Sequence, residues 1–139
     1  MKRISPTEAK ELLDQGWTYL DVRSEPEFEE GHPAGAINIP LMHRGPGGMS
    51  PNPDFMKVVE AVLPKDAKLV VGCQAGGRSA KAVQQMVQSG YQNLADQYCG
   101  WGGARDPSGQ VVPGWAASGL PMESGQPEGR AYRDLAKRG

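Results

Sequence analysis

Lys68-Leu69-Val70-Val71-Gly72 is a short continuous apolar run set between two helix-like segments. A strand with no polar alternation needs cover on both faces, as in a parallel sheet flanked by helices. The flanking sequence fits that arrangement. Ser5-Pro6-Thr7-Glu8 reads as a capping box, with Ser5 as cap, Pro6 at the first helical position and Glu8 reaching back. Ala9, Leu12 and Leu13 then fall on one face, and Gly16 stops the helix. Thr18–Val22 and Ala36–Ile39 read as short strands; between them lies a polar stretch with a single helical turn at Pro26–Glu29. Asn52-Pro53 opens a helix with Phe55, Val58, Val59, Val62 and Leu63 at helical spacing, ended by Pro64. Ser79–Ser89 reads as a helix with Ala80, Val83 and Val87 facing inward, closed by Gly90, and Asn93–Tyr98 as a further strand. The sequence therefore predicts an α/β domain with a mostly parallel sheet of about five strands flanked by helices. Such sheets place ligands at the carboxyl ends of their strands.

The remaining segments are less regular. Leu41–Pro51 and Gly100–Pro113 are rich in Gly and Pro and read as loops, the second one exposed, with a turn of helix at Pro113–Ser118. The expected organisation is one domain over 1–125 and a charged tail over 126–139, which carries Arg130, Arg133, Lys137 and Arg138. That tail is either mobile or a terminal helix, and termini of this kind are usually poorly ordered. Fifteen basic residues against sixteen acidic ones leave a formal charge of −1. No basic excess is available for bulk nucleic-acid or anionic-membrane binding, and no apolar run approaches a membrane span. The basic start, Met1–Pro6, has no apolar stretch after it and does not read as a secretory signal. Two cysteines, Cys73 and Cys99, make no disulfide framework, so the expected setting is reducing and cytoplasmic.

The chemistry-bearing segment is Cys73-Gln74-Ala75-Gly76-Gly77-Arg78-Ser79. A cysteine ends the buried strand, and a Gly-containing loop leads into a helix. A helix start presents unpaired N–H groups and the positive end of its dipole, which suits an anion. The thiolate is the reactive form of cysteine, and it would be favoured here by those N–H groups and by Arg78. Gly76 and Gly77 allow positive φ, so successive N–H groups can converge on one point.

This loop resembles the active-site loop of the single-domain rhodanese sulfurtransferases. Three other segments carry the same resemblance: Asp21-Val22-Arg23, Gly31-His32-Pro33-Ala34-Gly35-Ala36-Ile37-Asn38-Ile39-Pro40, and Gly119-Leu120-Pro121. They fall in family order from Ile4 to about Glu123. The resemblance implies a three-layer rhodanese fold and a nucleophilic role for Cys73, with Gln74, Ala75, Gly76, Gly77, Arg78 and Ser79 binding substrate. It implies that Cys73 takes sulfur from a donor such as thiosulfate, becomes a persulfide and gives the sulfur to cyanide, a thiol or a protein acceptor. No metal or organic cofactor is needed for this. The loop is neutral from Gln74 to Gly77, similar to loops of mercaptopyruvate enzymes. Four residues separate Cys73 from Arg78, one fewer than in the related cysteine-dependent phosphatases and arsenate reductases. A shorter loop suits one sulfur atom better than a tetrahedral oxyanion. The alternatives are a non-catalytic binding or regulatory module of this fold and, on the longer-loop analogy, a phosphatase or arsenate reductase.

Several further residues bear on the site. The resemblance makes Asp21 and Arg23 a supporting ion pair near the loop. It makes His32 a packing and hydrogen-bonding residue rather than a general base. His43, Arg44, Met42 and Trp101 follow strand ends and are candidates to border the pocket. Cys99 is a candidate second thiol that resolves a Cys73 persulfide if the two approach closely enough, and otherwise a spectator. The Gly102–Val112 segment is longer than the corresponding connection in the family and is expected to shape the pocket or a partner surface.

Overall fold

In the computed structural model, which describes residues 2–138, the apolar run Lys68–Gly72 is the central strand of a five-stranded sheet. Met1 of the basic start and Gly139 of the charged tail lie outside the described residues. In chain order the elements are β1 (Lys2–Ile4), α1 (Pro6–Asp14), β2 (Thr18–Asp21), α2 (Glu25–Glu30), β3 (His32–Pro33) and β4 (Ile37–Asn38). There follow β5 (Met42–Gly45), β6 (Gly48–Pro51), α3 (Phe55–Val62), β7 (Lys68–Gly72), α4 (Gly77–Gln88) and β8 (Asn93–Gln97). The chain closes with β9 (Ala104–Arg105), β10 (Val111–Val112), β11 (Met122–Glu123) and α5 (Tyr132–Leu135). The sheet order is β1-β8-β7-β2-β4, and every neighbouring pair is parallel. All five strands therefore end on one edge.

The central strand shows why its sequence is continuously apolar. Side chains alternate faces along a strand. Leu69 and Val71 enter a core with Leu20, Val59, Val83 and Met86. Val70 enters the opposite core, with Ile4, Ala9, Tyr19, Phe28 and Trp115. The result is the α/β domain with a five-stranded parallel sheet that the alternation predicts, in the three layers that the resemblance implies.

At the start of α1 the predicted capping box is present: the Ser5 side chain accepts from Glu8 N, and Glu8 accepts from Ser5 N. Three sequence expectations change, and one strand is present that the sequence does not announce. The first concerns α4, which begins at Gly77 and buries Ser79, Ala82, Val83 and Met86, while Ala80 and Val87 face solvent. Ser79 fixes that rotation by donating to the buried Asp96 at 2.7 Å. The second is Leu41–Pro51, not a loop but the hairpin β5–β6, turning at Pro46-Gly47 with Gly45 opposite Gly48. The third is Gly100–Pro113, which contains a small hairpin, β9–β10. The Asp106 carboxylate orders its turn by accepting from the backbone N–H groups of Ser108 and Gln110. The unannounced strand is the edge strand β1: its residues Lys2-Arg3-Ile4 bury only Ile4, so no apolar pattern marks it.

Of the two readings of the charged 126–139 segment, the structure has the helix. Tyr132 and Leu135 of α5 are buried in the same core as Leu69 and Val71. The Tyr132 hydroxyl accepts from Asn52 Nδ2 at 3.1 Å, and Arg130 pairs with Glu123.

Candidate active site

Cys73 follows the last residue of β7, at the edge where the parallel strands end. The residue is 2% exposed, and its Sγ accepts from Gly76 N at 3.0 Å. The turn that makes this contact needs Gly76, whose φ is +95° and which forms the cap of α4. A Cβ there would also lie 2.5 Å from the Tyr98 carbonyl oxygen. Gly77 is not in the left-handed region, so one glycine rather than two makes the turn.

A second segment presses on the loop from the end of β8. Trp101 N donates to Cys73 O at 2.8 Å, and Gly102 N to Gln74 O at 2.9 Å. Gly100, with φ +64°, lets this happen, since a Cβ there would overlap the Cys73 and Gln74 carbonyl oxygens. Buried Gln97 holds Gly100 from both sides, accepting from its N at 2.9 Å and donating to its O at 3.0 Å. Gly72 has no room for a side chain either, because the Tyr19 hydroxyl occupies that space.

The supporting pair is in place. Arg23 donates to both Asp21 carboxylate oxygens, at 2.7 Å from Nη2 to Oδ2 and 3.0 Å from Nε to Oδ1. It also donates to Gly31 O at 2.6 Å and reaches Gln74 Oε1 at 3.4 Å. Both side chains are 2% exposed, and each polar atom of the pair has a hydrogen-bond partner, which a buried ion pair requires.

Arg78 differs from expectation. Its guanidinium makes a two-point contact with Glu27, at 2.7 and 2.9 Å, so its charge is directed to α2 rather than to the sulfur alone. Burial works to raise the Glu27 carboxyl, but hydrogen bonds from Arg78 and Ser24 outweigh it and hold that carboxyl at about 2. Reciprocally, Glu27 pushes Arg78 upward. Ser79, expected among the substrate-binding residues, is fully buried and bonded to Asp96. Burial pushes the Asp96 carboxyl up, opposed by the Ser79 hydrogen bond. Ser79 therefore anchors α4 and does not face the pocket.

An open depression of about 460 Å³ is lined by Cys73, Gln74, Ala75, Gly77, Arg78 and Lys81. Beside it lies a second, of about 330 Å³, lined by Arg23, Glu27, Glu30, Arg44, Gln74 and Trp101. Arg44 and Trp101 thus border the site, as their places after strand ends suggest. Met42 instead packs on the core, and His43 lies against Tyr132 with ring centroids 5.7 Å apart. His32 is fully buried, stacked on Phe28 at 3.6 Å, with Nδ1 donating to Phe28 O at 2.6 Å and Nε2 3.0 Å from Glu123 Oε1. It has the packing and hydrogen-bonding role the resemblance implies. Cys99 is fully buried; burial pushes its thiol up, and its polar neighbours are Tyr98 and Arg3. Both cysteines are free.

Sequence reasoning missed Glu27, Asp96, Gln97 and Gly100. A signal for Glu27 existed: Ser24-Glu25-Pro26-Glu27 repeats the capping-box spacing of Ser5–Glu8. Asp96 and Gln97 carried none, being two polar residues in a short strand.

Residues 5–103 match the family described as Rhodanese-like domain. The chain is similar to Thiosulfate sulfurtransferase 16, chloroplastic, of Arabidopsis thaliana, with 40% identity over 121 residues, covering 87% of this chain and 92% of the relative. It is similar to the same plant's Protein HIGH ARSENIC CONTENT 1, mitochondrial, with 41% identity over 96 residues, covering 67% of this chain and 57% of that protein. The crystal structure of Rv0390 from M. tuberculosis superposes with a TM-score of 0.74 at 24% identity, covering 90% of this chain and 98% of that one. At that identity the likeness is one of fold. Among the described residues, no helix is long and apolar enough to cross a membrane.

Proposed function

The chain belongs to the rhodanese-like domain family, and from that premise we propose that it transfers sulfane sulfur through a persulfide on Cys73. The observation that carries this reading is the Gly76 N–H aimed at Cys73 Sγ, 3.0 Å away, at the start of a twelve-residue helix. A backbone donor so placed can stabilise the charge that develops on sulfur as it reacts. In the first step the Cys73 thiolate attacks the sulfane sulfur of a donor such as thiosulfate. The new Sγ–S bond forms as the donor's S–S bond breaks, and sulfite leaves with the electron pair. In the second step cyanide or a thiolate attacks the outer sulfur, and Cys73 leaves as thiolate. This is covalent double displacement, and the chain's own residues supply what it needs without a metal or organic cofactor.

Gln74, Ala75, Gly77 and Arg78 line the depression beside Cys73 and are the residues proposed to contact the donor. Gly76 supplies the N–H to sulfur, Ser79 fixes the helix behind it, and Asp21 with Arg23 fixes Gln74 and the loop's flank. A reducing, cytoplasmic setting is the proposed location, on the sequence's two-cysteine count.

The reading is tested by thiocyanate formation from thiosulfate and cyanide. Wild type should produce it, and Cys73→Ser should not. Equal rates in the two proteins would refute the role of Cys73. An oxyanion reading is disfavoured because the loop from Cys73 to Arg78 is one residue shorter than in the related phosphatases and arsenate reductases, and Arg78 itself is paired with Glu27. Arsenate reduction or phosphate-ester hydrolysis that exceeds sulfur transfer in the same preparation would reverse that order. A non-catalytic module would show neither activity.

A further inference from the structure

The second depression is charged in a particular way. Four ionic side chains line it: Arg23, Glu27, Glu30 and Arg44. Two of them are already matched inside the protein, Arg23 by Asp21 at 2.7 Å and Glu27 by Arg78 at 2.7 Å. Glu30 and Arg44 are exposed, and neither makes an ion pair among the described residues. Glu30 ends α2, and Arg44 is carried there by the β5–β6 hairpin. The site therefore offers one unmatched anion and one unmatched cation. Its aromatic wall, Trp101, is fixed in place: Arg23 lies 5.1 Å from the ring centroid, and a Cβ at Gly31 would come within 2.7 Å of the indole. Gln74 lines both depressions, and the Arg78–Glu27 pair spans them, Arg78 lining the one beside Cys73 and Glu27 the other. A molecule seated against Trp101 would have the outer sulfur of a Cys73 persulfide across Gln74.

We infer that this second depression is the sulfur-acceptor subsite and that it selects a zwitterionic low-molecular-mass thiol. Glu30 takes the acceptor's ammonium group and Arg44 its carboxylate. The inference rests on the persulfide reading above. The acceptor thiol gives its proton to solvent, and its thiolate attacks the outer sulfur. Cys73–S–SH and R–S⁻ become Cys73–S⁻ and R–S–SH, one S–S bond forming as the other breaks, with no external oxidant or reductant.

The test uses the whole chain, loaded with thiosulfate, desalted, and checked by mass so that every variant enters the transfer step with its sulfur. Single-turnover transfer is then followed to cysteine, cysteamine, 3-mercaptopropionate and 2-mercaptoethanol at matched thiolate concentrations. An ion pair at a partly exposed site is worth about fivefold in affinity. Glu30→Gln should raise the half-saturating concentration about that much for cysteine and cysteamine, and leave 3-mercaptopropionate and 2-mercaptoethanol unmoved. Arg44→Gln should do so for cysteine and 3-mercaptopropionate alone. Identical behaviour of all four thiols, or an equal shift for all of them in either variant, would overturn the subsite. A calorimetric titration of unloaded protein with S-methylcysteine, which cannot accept sulfur, separates the two claims. If wild type fails to load from thiosulfate, glutathione persulfide and mercaptopyruvate alike, the persulfide reading falls. The titration still judges the pocket: binding weakened in both variants keeps it, and absent or unaltered binding removes it.

Discussion

Gly76 and Gly77 are neighbours in sequence, yet Gly76→Ala and Gly77→Ala should move stability in opposite directions. At Gly76 the left-handed φ of +95° costs an L-residue about 1–2 kcal/mol. The new Cβ would also lie 2.5 Å from the Tyr98 carbonyl oxygen, a backbone atom that cannot swing aside. Overpacking of that kind costs about 1–3 kcal/mol. Together they come to about 3 kcal/mol, a large part of the roughly 5–15 kcal/mol that holds a domain folded. At Gly77 a Cβ meets nothing within 4 Å, and the backbone is already helical. Alanine there restricts the unfolded chain and should stabilise by about 0.5 kcal/mol. Urea denaturation at neutral pH reads both, and the melting temperature of Gly76→Ala should fall by on the order of 10 °C. If the two variants shift the midpoint equally, or if Gly76→Ala is neutral, the geometry assigned to the loop is wrong.

Acid sensitivity should trace in part to Glu27. Its carboxyl sits at about 2 when folded against an ordinary 4.5. Its contribution is therefore whole above pH 4.5 and is lost as pH falls from there towards 2. Allowing for the solvent that reaches the pair, this amounts to about 2 kcal/mol. Glu27→Gln should be less stable at pH 7 and should lose stability less steeply below pH 4.5 in parallel urea titrations; an unchanged slope would exclude the pair. Truncation after Gly125 removes buried Tyr132 and Leu135 and the Arg130 partner of Glu123. At about 1.5–3 kcal/mol per buried apolar side chain, the loss should reach about 4 kcal/mol, and an unmoved urea midpoint would contradict it. Cys99→Ser places a hydroxyl at a fully buried position and should cost about 1–3 kcal/mol in the same assay. A neutral result would mean that the hydroxyl finds a partner there.

The centre of the fold was legible because its signals are local. An apolar run, a cysteine, two glycines and a helix occupy consecutive residues, and the structure has them in that order from Lys68 to Gln88. What the sequence hid depends on pairings across distance. Arg78 meets Glu27 from 51 residues away, and nothing beside Arg78 announces that partner. Four glutamates fall between Glu25 and Glu30, and only the capping-box spacing separates Glu27 from the rest. The inward face of α4 was misread because Ala80 and Val87 look more apolar than Ser79, while Ser79 is buried by its bond to Asp96. The β5–β6 hairpin was hidden by its Gly and Pro content, which masks strand alternation, and it carries Arg44 to the site. The terminal helix α5 is short, and its two buried residues are scattered among charges, so its packing was visible only in three dimensions.

The most direct measurement of the central claim is the intact mass of the protein after thiosulfate treatment and desalting, taken on wild type, Cys73→Ser and Cys99→Ser. Persulfide chemistry at Cys73 predicts one added sulfur atom in wild type and in Cys99→Ser, none in Cys73→Ser, and its removal by cyanide as thiocyanate. An added sulfur that survives in Cys73→Ser would contradict the account. So would a wild-type protein that gains none from thiosulfate, glutathione persulfide or mercaptopyruvate.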